Sequence, residues 1–330
     1  MLTLSPVLTA LTANLQSSLS ILHKQDIQPA ANSIGQYTQG LGQVTGVSEP
    51  IRLGDDCAAI PDGDGYLLLA SEGIWPQLVD EDPWFAGWCA VKVNISDIAA
   101  MGGYPVAMVD ALWSKCLEDS RELWAGMQAA SAAYGVPIVG GHTNCHSPYA
   151  GLSVSILGRA ERLITSFDAE EGDRLVMVVN MAGAYRRDYP FWNAATTAEP
   201  QQLRNHLQLL PQLAQSDLVS AGKDISMGGL AGTLVMLAEA SNCGALLNLE
   251  QIPRPAAIPW KKWLTSFPSF GFLLSVPSDN VTKVQQIFHP HGLACEAIGE
   301  VTAGHKVCVQ HQGEQSVLWD LAQPLTGFGA

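Results

Sequence analysis

The stretch at 84–105, WFAGWCAVKVNISDIAAMGGYP, constrains this chain more than any other. Its apolar residues recur at helical spacing, it halts at Gly102 and Gly103, and it passes straight into a strand-like run, PVAMVDALW (105–113). An amphipathic helix with a left-handed glycine cap, followed at once by a strand, indicates a helix packed on a sheet. Asn94 and Asp97 lie three positions apart, so both point to nearly the same side of that helix. Polar groups in so apolar a segment need partners. A hydrogen-bonded core pair supplies them as readily as a bound ligand does. Lys92 is expected to face elsewhere, into solvent.

Four further polar motifs surround this helix: GDD (54–56), SEG (71–73), GGHT (140–143) and KDISMGG (223–229). Asp55 and Asp56 are adjacent carboxylates whose repulsion a cation would relieve, although Gly-Asp is also an ordinary solvated turn. Glu72 stands at a strand end, where sites often sit. The run VDEDP (79–83) reads as a helix start with acids in its first turn. GGHT follows the buried-type strand VPIVGG, so Gly140, Gly141 and Thr143 read as a loop whose amides face a ligand, or as plain turn residues. His142, Cys145 and His146 match no zinc spacing. Ser226 reads as an N-cap, with Asp224 just before it within reach of a cation.

Taken in order, residues 5–23 are expected to be helical and 32–50 a loop. CAAIPDGDGYLLLA reads as a hairpin, with Gly63 and Gly65 supplying positive φ. An acid-rich loop at 71–83, a helix at 118–134 and strands at 136–141, 151–160, 174–180, 271–277 and 293–301 follow. The segment 181–223 reads as helical and loopy, 229–242 and 279–289 as helices, and the tail from 312 carries no clear signal. Alternating strands and helices in two halves indicate an α/β (α+β) protein of two layers per half, the first sheet mixed because of the hairpin. The boundary is expected near 160–172, giving 1–165 and 166–330.

Composition narrows the function. The 330 residues are 47% apolar and 15% charged, which suits a sizeable core. A net charge of −14 disfavours nucleic acid and anionic membrane as partners. Seven scattered cysteines without a C-x-x-C pair fit a reducing compartment. With no bilayer-spanning apolar run and no secretory leader pattern, a cytoplasmic protein is expected. Neither a G-x-x-x-x-G-K-[ST] loop nor a G-x-G-x-x-G turn nor a G-x-S-x-G elbow is present. Nucleotide chemistry must then rely on carboxylate-held cations.

The order GDDCAAI, VNISDIAAMGGYP, GGHT, DISMGGL resembles the aminoimidazole ribonucleotide (AIR) synthetase superfamily, over roughly residues 50–300. That group includes thiamine-monophosphate kinase, selenophosphate synthetase, an ATP-using hydrogenase maturation dehydratase and formylglycinamidine ribonucleotide synthetase. The resemblance implies a two-domain fold whose N-terminal sheets pair into a barrel-like homodimer, with ATP and Mg²⁺ near that interface. It implies Asp55, Asp56, Asn94 and Asp97 as metal and phosphate ligands, Asp224 as a further metal ligand, and Gly102 and Gly103 bordering the phosphates. Glu72 stands where the thiamine-monophosphate kinases carry Asp, and His142 where they carry Asp in Gly-Gly-Asp-Thr; a carboxylate replaced by imidazole changes ligand charge and softness. Residues 35–46 lack the Cys and Lys of selenophosphate synthetases. The expectation is an ATP- and Mg²⁺-dependent phosphotransferase acting on a small molecule. Asp56 and Asp97 would be central to catalysis, His142 the candidate for proton transfer, and Glu72 a metal ligand with a longer reach. The alternatives are thiamine-monophosphate kinase itself, or a nucleotide-binding scaffold that has lost catalysis.

Overall fold

The computed structural model describes residues 6–38 and 51–328. The chain forms two compact units, and they do not follow sequence order. One comprises Asp56–Leu163 and Ala195–Gln215; the other comprises the residues up to Asp55, Ile164–Ala194 and those from Ser216 on. The chain passes between them at 55/56, 163/164, 194/195 and 215/216. The two exchanged pieces have local causes. The Pro6–Gln16 helix joins the later unit because Leu8 and Leu15 are buried in its core and the Thr12 hydroxyl meets Ser316 Oγ at 2.9 Å. The Pro200–Leu207 helix returns to the earlier unit, where Arg204 Nη1 donates to the carbonyls of Ala132 (3.3 Å) and Ala133 (3.1 Å). Those are orphan acceptors at the end of the Leu117–Tyr134 helix, where a cation also suits the helix dipole.

The earlier unit is built on a mixed sheet of β1 (Ala58–Asp62), β2 (Gly65–Gly73), β3 (Tyr104–Trp113), β4 (Ile138–Asn144) and β5 (Gly151–Ala160). The spatial order is β1-β2-β5-β3-β4, antiparallel except for the parallel pair β3–β4. The β1–β2 hairpin forms as expected. Gly63 has φ +61, but Gly65 is not in the positive-φ region; a Cβ there would lie 2.7 Å from the Ala160 carbonyl oxygen, so close strand approach is its reason. The expected 71–83 loop is instead the end of β2 and a short helix, Pro76–Glu81. Asp80 and Glu81 therefore end one helix, and Asp82 is the N-cap residue of the next, without a side-chain cap bond.

The helix at the heart of the sequence spans Pro83–Ala100. Gly102 takes φ +73, its N–H donates to Ala99 O (2.8 Å), and the Gly103 N–H donates to Ile98 O (2.9 Å). This is a complete Schellman cap. The helix is not amphipathic: it is buried on nearly every side. The sheet covers one flank, since a Cβ at Gly158 of β5 would strike the Ile98 side chain at 2.6 Å. The 117–134 helix covers another. A Cβ on Gly87 would lie 2.1 Å from Leu123 O, and one on Gly126 1.9 Å from Trp84 O, so the two backbones touch. Lys92, expected in solvent, is consequently only 6% exposed.

The later unit has a seven-stranded sheet. Its strands are β6 (Arg174–Val179), β9 (Ala221–Asp224), β10 (Gly244–Asn248), β12 (Gly271–Val276), β13 (Ala294–Thr302), β14 (Lys306–His311) and β15 (Glu314–Asp320), in the order β15-β14-β10-β13-β6-β12-β9. In a small second sheet β8 (Phe191–Asn193) lies between β11 (Phe267–Pro268) and β7 (Ala184–Tyr185) and pairs with each. The helix expected over 5–23 breaks after Gln16 and resumes at Leu19. The loop expected over 32–50 is helical through Thr38, and 39–50 lie outside the described residues. The tail from 312 holds β15. All seven cysteines are free. Burial pushes the Cys243 thiol up to about 11 and Cys295 to about 12, with nearby carboxylates adding to it, as suits core thiols. Among the described residues no helix is long and apolar enough to cross a membrane.

Candidate functional site

The pleat of the five-stranded sheet decides which candidates share a face, because side chains alternate and paired residues point the same way. Glu72 of β2 pairs with Val154 of β5, Val154 pairs with Asp110 of β3, and Asp110 pairs with Gly141 of β4. One row therefore reads Glu72, Val154, Asp110, Gly141. It shares a face with Gly158, the face that the 83–100 helix covers. The next row runs Gly73, Ser153, Ala111, His142 and belongs to the opposite face. His142 lies there near Trp113, ring centroids 6.5 Å apart. Within one copy of the chain the sheet stands between the His142 side chain and the helix that carries Asn94 and Asp97.

Asn94 is fully buried; its Nδ2 donates to Ala90 O at 2.8 Å, and its Oδ1 has no hydrogen-bond partner among the described residues. Asp97, one turn on, is 7% exposed. Asp110 is not among the candidates that the sequence motifs supply. Its Oδ2 is buried without a hydrogen-bond partner among the described residues, and desolvation raises its carboxyl above the usual range, against a smaller lowering by its own backbone. A Cβ on Gly141 would lie 2.3 Å from Asp110 Oδ1, so glycine is required beside it. The signal that could find it is an acid in VAMVDALW with the parity of the buried Met108 and Leu112.

The remaining candidates are placed as follows. Gly140, Gly141, His142 and Thr143 form part of β4 rather than a loop after it, and among the described residues β4 is an edge strand, paired on one side only. The amides of Gly102 and Gly103 are engaged in the helix cap, and a Cβ on Gly103 would meet Leu68 at 2.3 Å. These two glycines contribute shape rather than donors. Asp56 is half-buried in the same unit.

Asp55 and Asp224 belong to the other unit. Asp55 accepts the Ser166 N–H (3.0 Å) on Oδ2 and the Ser166 hydroxyl (2.6 Å) on Oδ1. Gly54 before it has φ +103 with the Phe328 ring against it, where a side chain would clash. Asp224 ends β9, an edge strand, and is buried. Ser226 is not the N-cap of the following helix; Gly228 is, at φ +101. Among the described residues no group of three or more His, Cys, Asp or Glu is arranged to hold a metal ion. Mg²⁺ keeps several waters and takes one or two carboxylates plus substrate phosphates, rather than an all-protein cage. The orphaned oxygens of Asn94 and Asp110 are the kind of acceptor that a hydrated cation satisfies.

Residues 54–160 match the family model described as AIR synthase related protein, N-terminal domain, and residues 170–312 match its C-terminal counterpart. The protein sll0787 of Synechocystis sp. is 56% identical over 98% of this chain and 99% of its own length. Among solved structures, T. maritima PurL complexed with ADP superimposes with a TM-score of 0.71 at 18% identity, covering 97% of this chain and 54% of that one. The chain thus spans about half of that protein. AaThiL complexed with AMPPCP and TMP superimposes with a TM-score of 0.61 at 21% identity, covering 87% and 97%.

Proposed function

Because the chain belongs to the AIR synthase related protein family, we propose that it is an ATP-dependent, Mg²⁺-dependent phosphotransferase acting on a small molecule in the cytoplasm. The observation that carries this reading is the polar inventory beneath the 83–100 helix. Asn94 Oδ1 and Asp110 Oδ2 are buried without partners, Asp97 is buried nearby on the same helix as Asn94, and Glu72 opens the same row as Asp110 at its exposed end. A fold stabilised only by packing would gain nothing from such groups, since each costs desolvation free energy.

Asp56, Glu72, Asp97 and Asp110, all of the earlier unit, are proposed to hold the magnesium. When bound, the ion offsets phosphate charge, so that the rest of catalysis is positioning and electrostatics. The protein's own part follows from its geometry. Asn94 orients a phosphate or ion-bound water through Oδ1, its Nδ2 being fixed to the Ala90 carbonyl. The edge of β4 at Gly141 and Thr143 offers backbone donors to phosphate oxygens, with Gly140 beside them keeping the strand free of side-chain bulk, and Gly102 and Gly103 let the chain pass close by. His142, on the other face, moves no proton for Asp97 within the same copy.

The decisive experiment is ADP release with a panel of phosphate acceptors. Acceptor-dependent turnover is expected; ATP binding with no turnover for any acceptor would favour the scaffold reading, which the placement of His142 keeps in play.

The open face of the same sheet is assigned to a second copy of the chain. It exposes Leu69, Val109 (44% exposed) and Leu157 around a hydroxyl row in which Ser155 Oγ donates to Ser71 Oγ at 2.8 Å. Exposed apolar residues gathered on one sheet face mark a contact surface. A Leu157→Glu chain is expected to sediment as a monomer where the parent sediments as a dimer; a parent already monomeric at micromolar concentration sinks this assignment.

A further inference from the structure

We infer that residues 325–328 form a strap that sets the affinity for the magnesium nucleotide, and that Glu239 is the positioning residue that holds this strap in place. This deepens the phosphotransferase reading and rests on it for the nucleotide; the strap and everything it touches belong to the later unit.

Glu239 is out of keeping with its surroundings. It is the one acid of GLAGTLVMLAEA, the helix Gly229–Ala240, and it is only 5% exposed. It also stands in the last turn, where the helix dipole opposes a negative charge. Burial and dipole both penalise the carboxylate, and a leucine would fill the place with neither cost. The offset comes from the tail. Glu239 Oε1 accepts the N–H groups of Leu325 (2.8 Å) and Gly327 (3.1 Å), and Oε2 accepts the Thr326 N–H (2.8 Å) and the Thr326 hydroxyl (2.5 Å). Three consecutive amides and a hydroxyl thus close on one carboxylate, an arrangement that favours the ionised acid. They do so only with the tail in one conformation, and the Leu325 side chain pins its near end in the core.

The strap lies on the stretch 52–55. Gly327 turns the chain at φ +79, and the Phe328 ring beyond it covers Gly54, where a Cβ would fall 2.5 Å from Phe328 Cγ. The stretch is also tied down on either side of that glycine. The Arg52 guanidinium lies 3.8 Å from the centre of the Phe167 ring, and Asp55 accepts the Ser166 N–H and hydroxyl. The Ser166 carbonyl in turn accepts the Ser241 hydroxyl at 2.8 Å. Glu239 and Ser241, two positions apart, therefore reach the same stretch by two routes, through the tail and through Ser166. Without the strap, Gly54 regains the widest backbone freedom of any residue. The residue after Asp55 is Asp56, a proposed magnesium ligand, one peptide bond on. A ligand ordered before the ion arrives loses less entropy on binding, so the strap raises affinity.

The test first follows the Ser166 amide, which reports whether Asp55 is in place, by hydrogen exchange on the full chain without nucleotide. Phe328→Ala, a change at a half-buried side chain, should speed that amide roughly tenfold. The Gly222 amide, bonded to the neighbouring Thr165 carbonyl, should keep the parent's rate. Glu239→Gln, which sets an NH₂ against the tail's own donors, should act as Phe328→Ala does. In titration calorimetry both variants should bind Mg-ATP about tenfold more weakly than the parent. Phe328→Trp, which returns a flat ring to Gly54, should restore the affinity. A tail that serves folding alone would lower the melting temperature and leave the affinity unchanged. An unaltered Ser166 rate in Phe328→Ala overturns the strap, and an unaltered Mg-ATP affinity in that variant overturns its hold on the nucleotide, whether or not Glu239→Gln folds. A parent that binds no Mg-ATP sinks the phosphotransferase reading and the effect on affinity with it, while the exchange rates still decide the strap.

Discussion

Asp97→Asn is expected to abolish the rise in melting temperature that ATP and magnesium together bring to the parent protein. The substitution is nearly isosteric, so the packing of the 83–100 helix between sheet and 117–134 helix is kept and the charge alone is lost. At a nucleotide concentration 100 times the Kd, the parent gains about 2.7 kcal/mol by linkage, several degrees in a chain of this size. The variant should lose most of that gain, because magnesium takes its oxygen ligands chiefly from carboxylates and a neutral amide does not replace the charge. Turnover should fall by roughly 10²- to 10³-fold, the usual cost of removing one electrostatic group from such a centre. Scanning calorimetry with and without Mg-ATP reads the first effect. A shift equal to the parent's would remove Asp97 from the site.

Asp110→Asn should act in two directions at once. Burial raises the Asp110 carboxyl above its ordinary range. The sign follows from linkage: a carboxyl raised in the folded state carries no penalty below its unfolded pKa. The penalty grows as pH climbs from there to the folded value and is fully present above it. At neutral pH the apo protein therefore bears the cost of a desolvated charge, and the neutral amide of the variant removes it. The apo variant should melt higher than the parent at pH 7, and the difference should shrink as the pH falls into the carboxylate range. Its magnesium-dependent stabilisation by ATP should meanwhile weaken, by about 10- to 100-fold in apparent metal affinity. Equal melting temperatures at pH 7 together with undiminished Mg-ATP stabilisation would assign Asp110 to ordinary packing.

Local signals suffice where the physics is local. The Schellman cap at Gly102 and Gly103, the β1–β2 hairpin and the mixed character of the first sheet follow from neighbours a few positions apart. Lys92 departs from expectation because its burial depends on Gly87 and Gly126 bringing a second helix against the first, a contact between segments about forty residues apart. His142 departs for a different reason. The Gly140–Gly141 pair suggests a turn, but β3 pairs through it to Asn144, and once it is a strand the pleat fixes the histidine on the far face. Asp110 escapes a motif search because one acid does not spoil an apolar strand pattern; its parity with Met108 and Leu112 is the only local clue. The helix through Thr38 is hidden by Gly and Ser content that local propensity reads as loop.

The interleaving of the two units has a bearing on how such a chain matures on the ribosome. The helices at 200–215 complete the unit begun at Asp56, and the N-terminal helix rests against β15, close to the other end of the sequence. A nascent chain that has emerged only to Leu163 lacks one flank of its first half, and the earliest helix waits for nearly the last strand before its apolar stripe is covered. Scission at the obvious midpoint would yield two fragments, each deprived of a piece held by the other.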